Sequence, residues 1–104
     1  MEKIARQCML YDFYGELLTE HQRRVYEDAV FNDMSLSELA SEYGISRQGV
    51  HDLMKRCDKT LEEYESKLQL VARFGKVKET VEAIQTCDDL PTIKQMAGEI
   101  LEEL

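Results

Sequence analysis

The sequence holds no tryptophan, a single proline and only five glycines in 104 residues. An all-β domain of this length needs far more tight turns than those residues can make, so an all-α fold is expected. Positive charge is also scarce: 13 Lys and Arg stand against 21 Asp and Glu, a formal net charge of -8. A nucleic-acid binder that works by coating itself in positive charge is thereby excluded, whereas one with a small local basic surface is not. Long apolar runs are missing. The longest, Cys8-Met9-Leu10-Tyr11, falls far short of the roughly 20 residues of a membrane-crossing helix, which argues against membrane insertion. Met1-Glu2-Lys3 is followed by no apolar signal segment, so nothing points to export. Cysteine is odd in number, at Cys8, Cys57 and Cys87, with no two close in sequence. A disulfide framework is therefore not expected, and a reducing cytoplasm is.

What is present suits a globular domain with one core: 43% of residues are apolar and 33% charged, fractions too apolar for a disordered chain. The apolar spacing predicts helices nearly throughout. The first runs from about Lys3 to Leu17. Ile4, Cys8, Tyr11 and Leu18 share one stripe, and Leu10, Phe13, Tyr14 and Leu17 form a second. A helix apolar on two sides is central to a core or covered by another chain. Thr19-Glu20-His21-Gln22 fits a capping box, in which the Thr hydroxyl and the Gln side chain satisfy each other's backbone N–H groups. The helix it opens presents Gln22, Val25, Tyr26 and Ala29 on one face and ends near Phe31 to Asp33. Ser35-Leu36-Ser37-Glu38 is a second capping box, with Leu36, Leu39 and Ala40 inward.

Gly44 can take the left-handed conformation that ends this helix, and Ser46 caps the next one from Arg47. Val50, Leu53, Cys57, Leu61, Tyr64, Leu68 and Val71 then recur at helical spacing. That helix is expected to run to Phe74, about 28 residues or roughly 42 Å, and to break at Gly75. A shorter helix follows with Val77, Val81 and Ile84 inward. Asp88-Asp89-Leu90-Pro91 reads as a stop and restart. The last helix carries Ile93, Met96, Ala97, Ile100, Leu101 and Leu104 on one face. Residues 1–60 hold 8 Lys+Arg and 11 Asp+Glu, net -3; residues 61–104 hold 5 and 10, net -5. The expected division is a helix-turn-helix domain over 1–60 and an acidic helical extension over 61–104.

The informative stretch is Leu36 to Cys57. Ala40 is small where two helices cross steeply, Gly44 permits the turn, Ile45 plugs the corner, and Val50 and Leu53 anchor the second helix. That pattern is a helix-turn-helix, whose second helix enters the DNA major groove with its first residues. Ser46 and the free N–H groups of the helix start can bond a phosphate. Arg47 suits guanine and Gln48 adenine, each as a bidentate contact. Gly49 keeps the helix slim at the approach. His51 and Asp52 point the same way, and Lys55, Arg56 and Lys59 add positive charge one or two turns on. The candidate nucleic-acid-binding set is Ser46, Arg47, Gln48, His51, Lys55, Arg56 and Lys59.

Leu18-Thr19-Glu20-His21-Gln22-Arg23, Leu36-Ser37-Glu38-Leu39-Ala40, Gly44-Ile45-Ser46-Arg47 and Val50 resemble region 4 of bacterial sigma factors over about residues 17–61. That region is a helix-turn-helix module, of the broad winged-helix-like DNA-binding class, that reads promoter DNA. The chain differs from it at Gly49 and at His51-Asp52, where longer or more basic side chains are usual. With its apolar first helix, Tyr11-Asp12-Phe13-Tyr14-Gly15 and helical tail, the whole chain resembles the YlxM family more closely. The resemblance implies a small bacterial helix-turn-helix protein encoded beside the signal recognition particle (SRP) GTPase and its receptor, and a regulatory role in that pathway.

No enzymatic chemistry is visible. There is no Gly-rich phosphate loop, no Ser or Cys nucleophile with a base near it, and no cofactor motif. His21 and His51 are isolated from further ligands at helical spacing, so no metal site is expected. Cys57 lies on an apolar stripe, and Cys8 and Cys87 are read as core alongside it. The expected partner is DNA. The rival reading is an adaptor that contacts an SRP component or RNA polymerase through the acidic tail, and a third is a binder of structured RNA. A homodimer is expected, with the first helix and the tail in its surface, because two-fold pairs match paired half-sites.

Overall fold

The computed structural model describes residues 2–104; Met1, the first residue of the leader reading, lies outside them. Every element among the described residues is helical. α1 spans Lys3–Tyr14 and tightens into a 3-10 turn at Gly15–Leu17, so the first helix ends three residues earlier than its apolar spacing suggests. α2 spans Glu20–Val30 and α3 Leu36–Tyr43. Both open on the expected capping boxes: Thr19 accepts from the Gln22 N–H at 3.2 Å, and Ser35 from that of Glu38 at 3.1 Å. α4 spans Arg47–Leu68, α5 Leu70–Gln85 and α6 Leu90–Glu103.

The long helix does not reach Phe74. It stops at Leu68, Gln69 takes a left-handed conformation (φ 55°), and Gly75 lies inside α5. A periodic apolar stripe marks which faces are buried but not a single left-handed residue that redirects the chain. Such a conformation costs a non-glycine roughly 1–2 kcal/mol. The break also separates two compact units, one ending at Leu68 and the other beginning at Gln69.

In the first unit α1, α2 and α3 all pack on α4. Its core is Leu10, Tyr14, Leu18, Val25, Tyr26, Leu39, Val50, Leu53, Cys57 and Leu61. Each such large side chain contributes about 1.5–3 kcal/mol of hydrophobic burial. α1 buries neither expected stripe as a whole. It buries Gln7, Leu10 and Tyr14, and leaves Ile4, Phe13 and Leu17 exposed. The buried row takes Leu10 and Tyr14 from the second stripe and includes an amide because α4 offers that amide a partner. Gln7 Nε2 donates to both Asp58 carboxylate oxygens, at 3.0 and 3.2 Å, and the Tyr26 hydroxyl donates to Asp58 Oδ1 at 2.6 Å. Two turns on, Tyr14 OH donates to the buried Glu65 at 2.5 Å; Arg6 makes a bidentate pair with Glu62 at 3.0 Å.

Leu36 points outward rather than into the core. Cys57 is core as expected, but Cys8 and Cys87 are only half-buried. Burial pushes the Cys57 thiol up to about 11, with the Asp58 charge adding to it. Iodoacetamide at pH 8 is therefore expected to modify Cys8 and Cys87 and to spare Cys57 in the native protein, since the thiolate is the reactive form. All three should react in denaturant. Equal native labelling of Cys57, read by peptide mass, would contradict its placement.

The second unit is an antiparallel hairpin of α5 and α6, with Lys76 of α5 paired to Glu103 of α6 at 2.8 Å. Asp89 caps α6 from outside, accepting from the Thr92 N–H at 3.2 Å, with Pro91 in the first turn. The expected inward faces are only partly covered. Val77, Ile84, Ile93, Met96 and Ile100 are half-buried, while Val81, Ala97, Leu101 and Leu104 are exposed.

Candidate nucleic-acid interface

The turn between α3 and α4 forms as its residues dictate. Gly44 is left-handed (φ 65°), and its N–H and that of Ile45 both turn back to the Ala40 carbonyl, the latter at 3.1 Å. A residue with a Cβ would be strained at that φ. Ile45 is half-buried at the corner, and Val50 and Leu53 are buried beneath α4. The Ser46 hydroxyl accepts from the Gly49 N–H at 2.9 Å. A Cβ at Gly49 would lie 3.1 Å from that hydroxyl oxygen. The glycine thus makes room for the chain's own cap, a reason for its presence that needs no ligand. The helix geometry leaves the N–H groups of Arg47 and Gln48 without intrahelical acceptors, and a Ser hydroxyl that accepts one bond still has a proton to donate.

All seven candidate residues, Ser46, Arg47, Gln48, His51, Lys55, Arg56 and Lys59, are exposed. On α4, Gln48, His51, Lys55, Arg56 and Lys59 occupy the half of the helix opposite Val50, Leu53, Cys57 and Leu61, at about 3.6 residues per turn; Arg47 lies at the edge of that half, and Ser46 precedes the helix. Leu36, Arg47, Gln48 and His51 together line a shallow concavity of about 420 Å³. Leu36 is thus a surface residue of this face, which an inward assignment from apolar spacing could not reveal.

The face is not uniformly positive. Asp52 Oδ1 accepts from Gln48 Nε2 at 2.9 Å and lies 3.7 Å from His51 Nδ1. Lys59 lies 4.0 Å from Glu63, one turn further on. Arg47, Lys55 and Arg56 therefore carry most of the positive charge, and Gln48 must leave Asp52 to read a base. Behind the face, Asp28 of α2 accepts from Tyr43 of α3. That bond pushes the Tyr43 hydroxyl up to about 12 and holds Asp28 below its ordinary value. The His21 ring meets the Tyr43 ring edge-on. These contacts join α2 to α3 and so steady the helix that precedes the turn. The candidate residues hold no group of three or more His, Cys, Asp or Glu suited to a metal, nor do the other described residues. No described helix is long and apolar enough to cross a membrane.

A short helix, a left-handed glycine turn and a capped second helix with a solvent-facing polar side define a protein of the helix-turn-helix class. The sequence model of the UPF0122 family, described as "Putative helix-turn-helix protein, YlxM / p13 like", matches residues 1–100. The chain belongs to that family. A UPF0122 protein of Halalkalibacterium halodurans is 39% identical over 104 residues, covering 100% of this chain and 95% of its own length. A UPF0122 protein of Thermoanaerobacter sp. is 42% identical over 103 residues, covering 92% of this chain and 88% of its own. One from Bacillus licheniformis is 42% identical over 89 residues, covering 86% and 83%.

Proposed function

We propose that this protein is a DNA-binding regulator that lays the first turns of α4 in the major groove. The observation that carries the reading is the exposure of Arg47, Gln48, His51, Lys55, Arg56 and Lys59 on one side of the helix that follows the Gly44 turn. Arg47 bonds a guanine, Gln48 an adenine, and Leu36 at the floor of the concavity offers an apolar contact to a thymine methyl. Ser46 and the N–H groups beside it hold a phosphate, and Lys55, Arg56 and Lys59 follow the backbone. Residence in a reducing cytoplasm and a part in the SRP pathway belong to the same proposal, on the strength of the YlxM likeness.

Few cations serve the face, and Asp52 lies among them, so the binding is weak and salt-sensitive. Each neutralised phosphate adds about -0.9 to the log–log salt slope, and three or four contacts set a slope of roughly -3 to -4. Mobility shift with the promoter of the protein's own operon against random DNA, at two salt concentrations, tests this. Arg47→Ala/Gln48→Ala is expected to lose about 1–3 kcal/mol of discrimination per lost bidentate contact. Equal binding of parent and double variant to the best site would end the base-reading hypothesis. The acidic hairpin favours a second reading, an adaptor for a protein partner. That reading gains if no DNA is shifted while the Arg47 variant also leaves partner binding intact.

A further inference from the structure

α6 carries two apolar faces and its own chain uses one. At about 100° per residue, Ile93, Met96, Ile100 and Glu103 lie on the side toward α5, where they are half-buried and where Glu103 meets Lys76. Leu90, Lys94, Ala97, Leu101 and Leu104 fall on a second stripe, roughly 80° wide, turned away from that seam. They follow at steps of four, three, four and three residues, the repeat of a helix seam that accepts a partner helix. Leu90, Leu101 and Leu104 are 60%, 74% and 87% exposed. Val81 of α5, 41% exposed, is turned the same way from the seam. In an antiparallel pair equal turns land on the same side, so Val81 and the α6 stripe form one surface.

We infer that this surface is the two-fold contact between two copies of the chain, with α6 packed antiparallel on the α6 of the second copy. Three features select a copy of itself as the occupant. The first is charge. Lys94 lies in the N-terminal half of α6, and Glu99, Glu102 and Glu103 lie in the C-terminal half. Antiparallel pairing brings each Lys94 beside the acidic end of its partner helix, whereas parallel pairing stacks acid on acid. The second is register. A two-fold axis near Ala97 sets Leu90 opposite the second copy's Leu104 and Ala97 opposite its counterpart. At that crossing Gly98 also faces outward, in a helix interior where glycine is unfavourable and where an added Cβ would meet nothing within 4 Å of its own chain. A small pair at the crossing lets two backbones approach closely.

The third is area. The four exposed side chains present on the order of 400 Å² of apolar surface, and a standard homodimer interface needs about 500 Å² of apolar area per partner. Ala97 and the Lys94 stem supply much of the difference. The contact uses no residue of the candidate α4 face, so its residues can be tested whether or not that face reads DNA.

Sedimentation equilibrium of the full-length protein, up to about 200 µM, is the first test, and a dimer mass is expected. Leu101→Lys/Leu104→Lys should weaken association at least tenfold with unchanged helical circular dichroism. Lys94→Glu should weaken it too, and Lys94→Glu/Glu102→Lys should recover most of the loss. Because a variant could misfold, a cross-link gives an independent reading. Ala97→Cys in a Cys8→Ser/Cys87→Ser background, with buried Cys57 retained, should oxidise to a disulfide-linked dimer; Glu79→Cys, on another side of the hairpin, should not. A monomer mass throughout the range overturns the proposal, because the stripe is then covered within one chain or not at all. A dimer indifferent to both Leu101→Lys/Leu104→Lys and the Ala97→Cys cross-link overturns it equally.

Discussion

Replacing Asp58 with alanine should lower the unfolding free energy by about 2–5 kcal/mol, a large part of the 5–15 kcal/mol of an ordinary domain. Asp58 accepts from Gln7 on α1 and from Tyr26 on α2 while sitting on α4, so one carboxylate ties three helices together. Tyr26 is fully buried and Gln7 nearly so. Without Asp58 both buried donors lose their partner, and each pays its own desolvation. Burial and the Asp58 charge raise the Tyr26 hydroxyl far above its ordinary value, burial being the larger cause, which keeps it a neutral donor at any working pH. Tyr26→Phe removes one donor and leaves the acceptor with Gln7, so it should lose only about 1 kcal/mol. Glu62→Ala cuts the exposed Arg6 pair alone and should lose no more than about 1 kcal/mol. Urea titrations of the three variants give the ranking. Asp58→Ala no worse than Glu62→Ala would mean that the three-helix link does not form.

The second large effect is expected at Leu39. It is 1% exposed beneath α3, while Leu36, one turn before it on the same helix, is 37% exposed. Leu39→Ala removes a fully enclosed side chain and leaves a cavity under the turn, at about 2–5 kcal/mol. Leu36→Ala leaves no enclosed void and should lose about 1 kcal/mol or less. The pair separates stability from the proposed function: Leu39→Ala should lower the melting temperature, and Leu36→Ala should mainly alter contact with DNA at the concavity it shares with Arg47. Equal losses of stability at the two positions would show that Leu36 is buried after all.

Much of this was legible in the residues because it is local. Thr19 with Gln22, Ser35 with Glu38, and Ser46 ahead of Gly49 are caps closed within four residues. Gly44 ends α3 because only a residue without a Cβ takes φ 65° freely. Asp89 and Pro91 open α6 by equally short-range chemistry. The exposed character of Arg47, Gln48 and His51 followed from their being polar on a helix whose other side is Val50, Leu53 and Cys57.

What the tertiary structure alone decided concerns partners distant in sequence. Gln7 is buried because Asp58, 51 residues away, accepts from it, and no periodicity of α1 announces that. Glu65 is a charged residue that its own helix gives no reason to bury, yet the Tyr14 hydroxyl bonds it inside the fold. Leu36 and Leu39 are alike in hydrophobicity, and only the position of α4 determines which of them is covered. The helix break at Gln69 has no glycine or proline to mark it, because a non-glycine can take the left-handed conformation at a modest cost that residue type does not announce. Local hydrogen bonds are written into neighbouring residues. Burial and long-range pairing are settled by how the helices meet in space, and this sequence carries those choices only as apolar and polar options on each helix face.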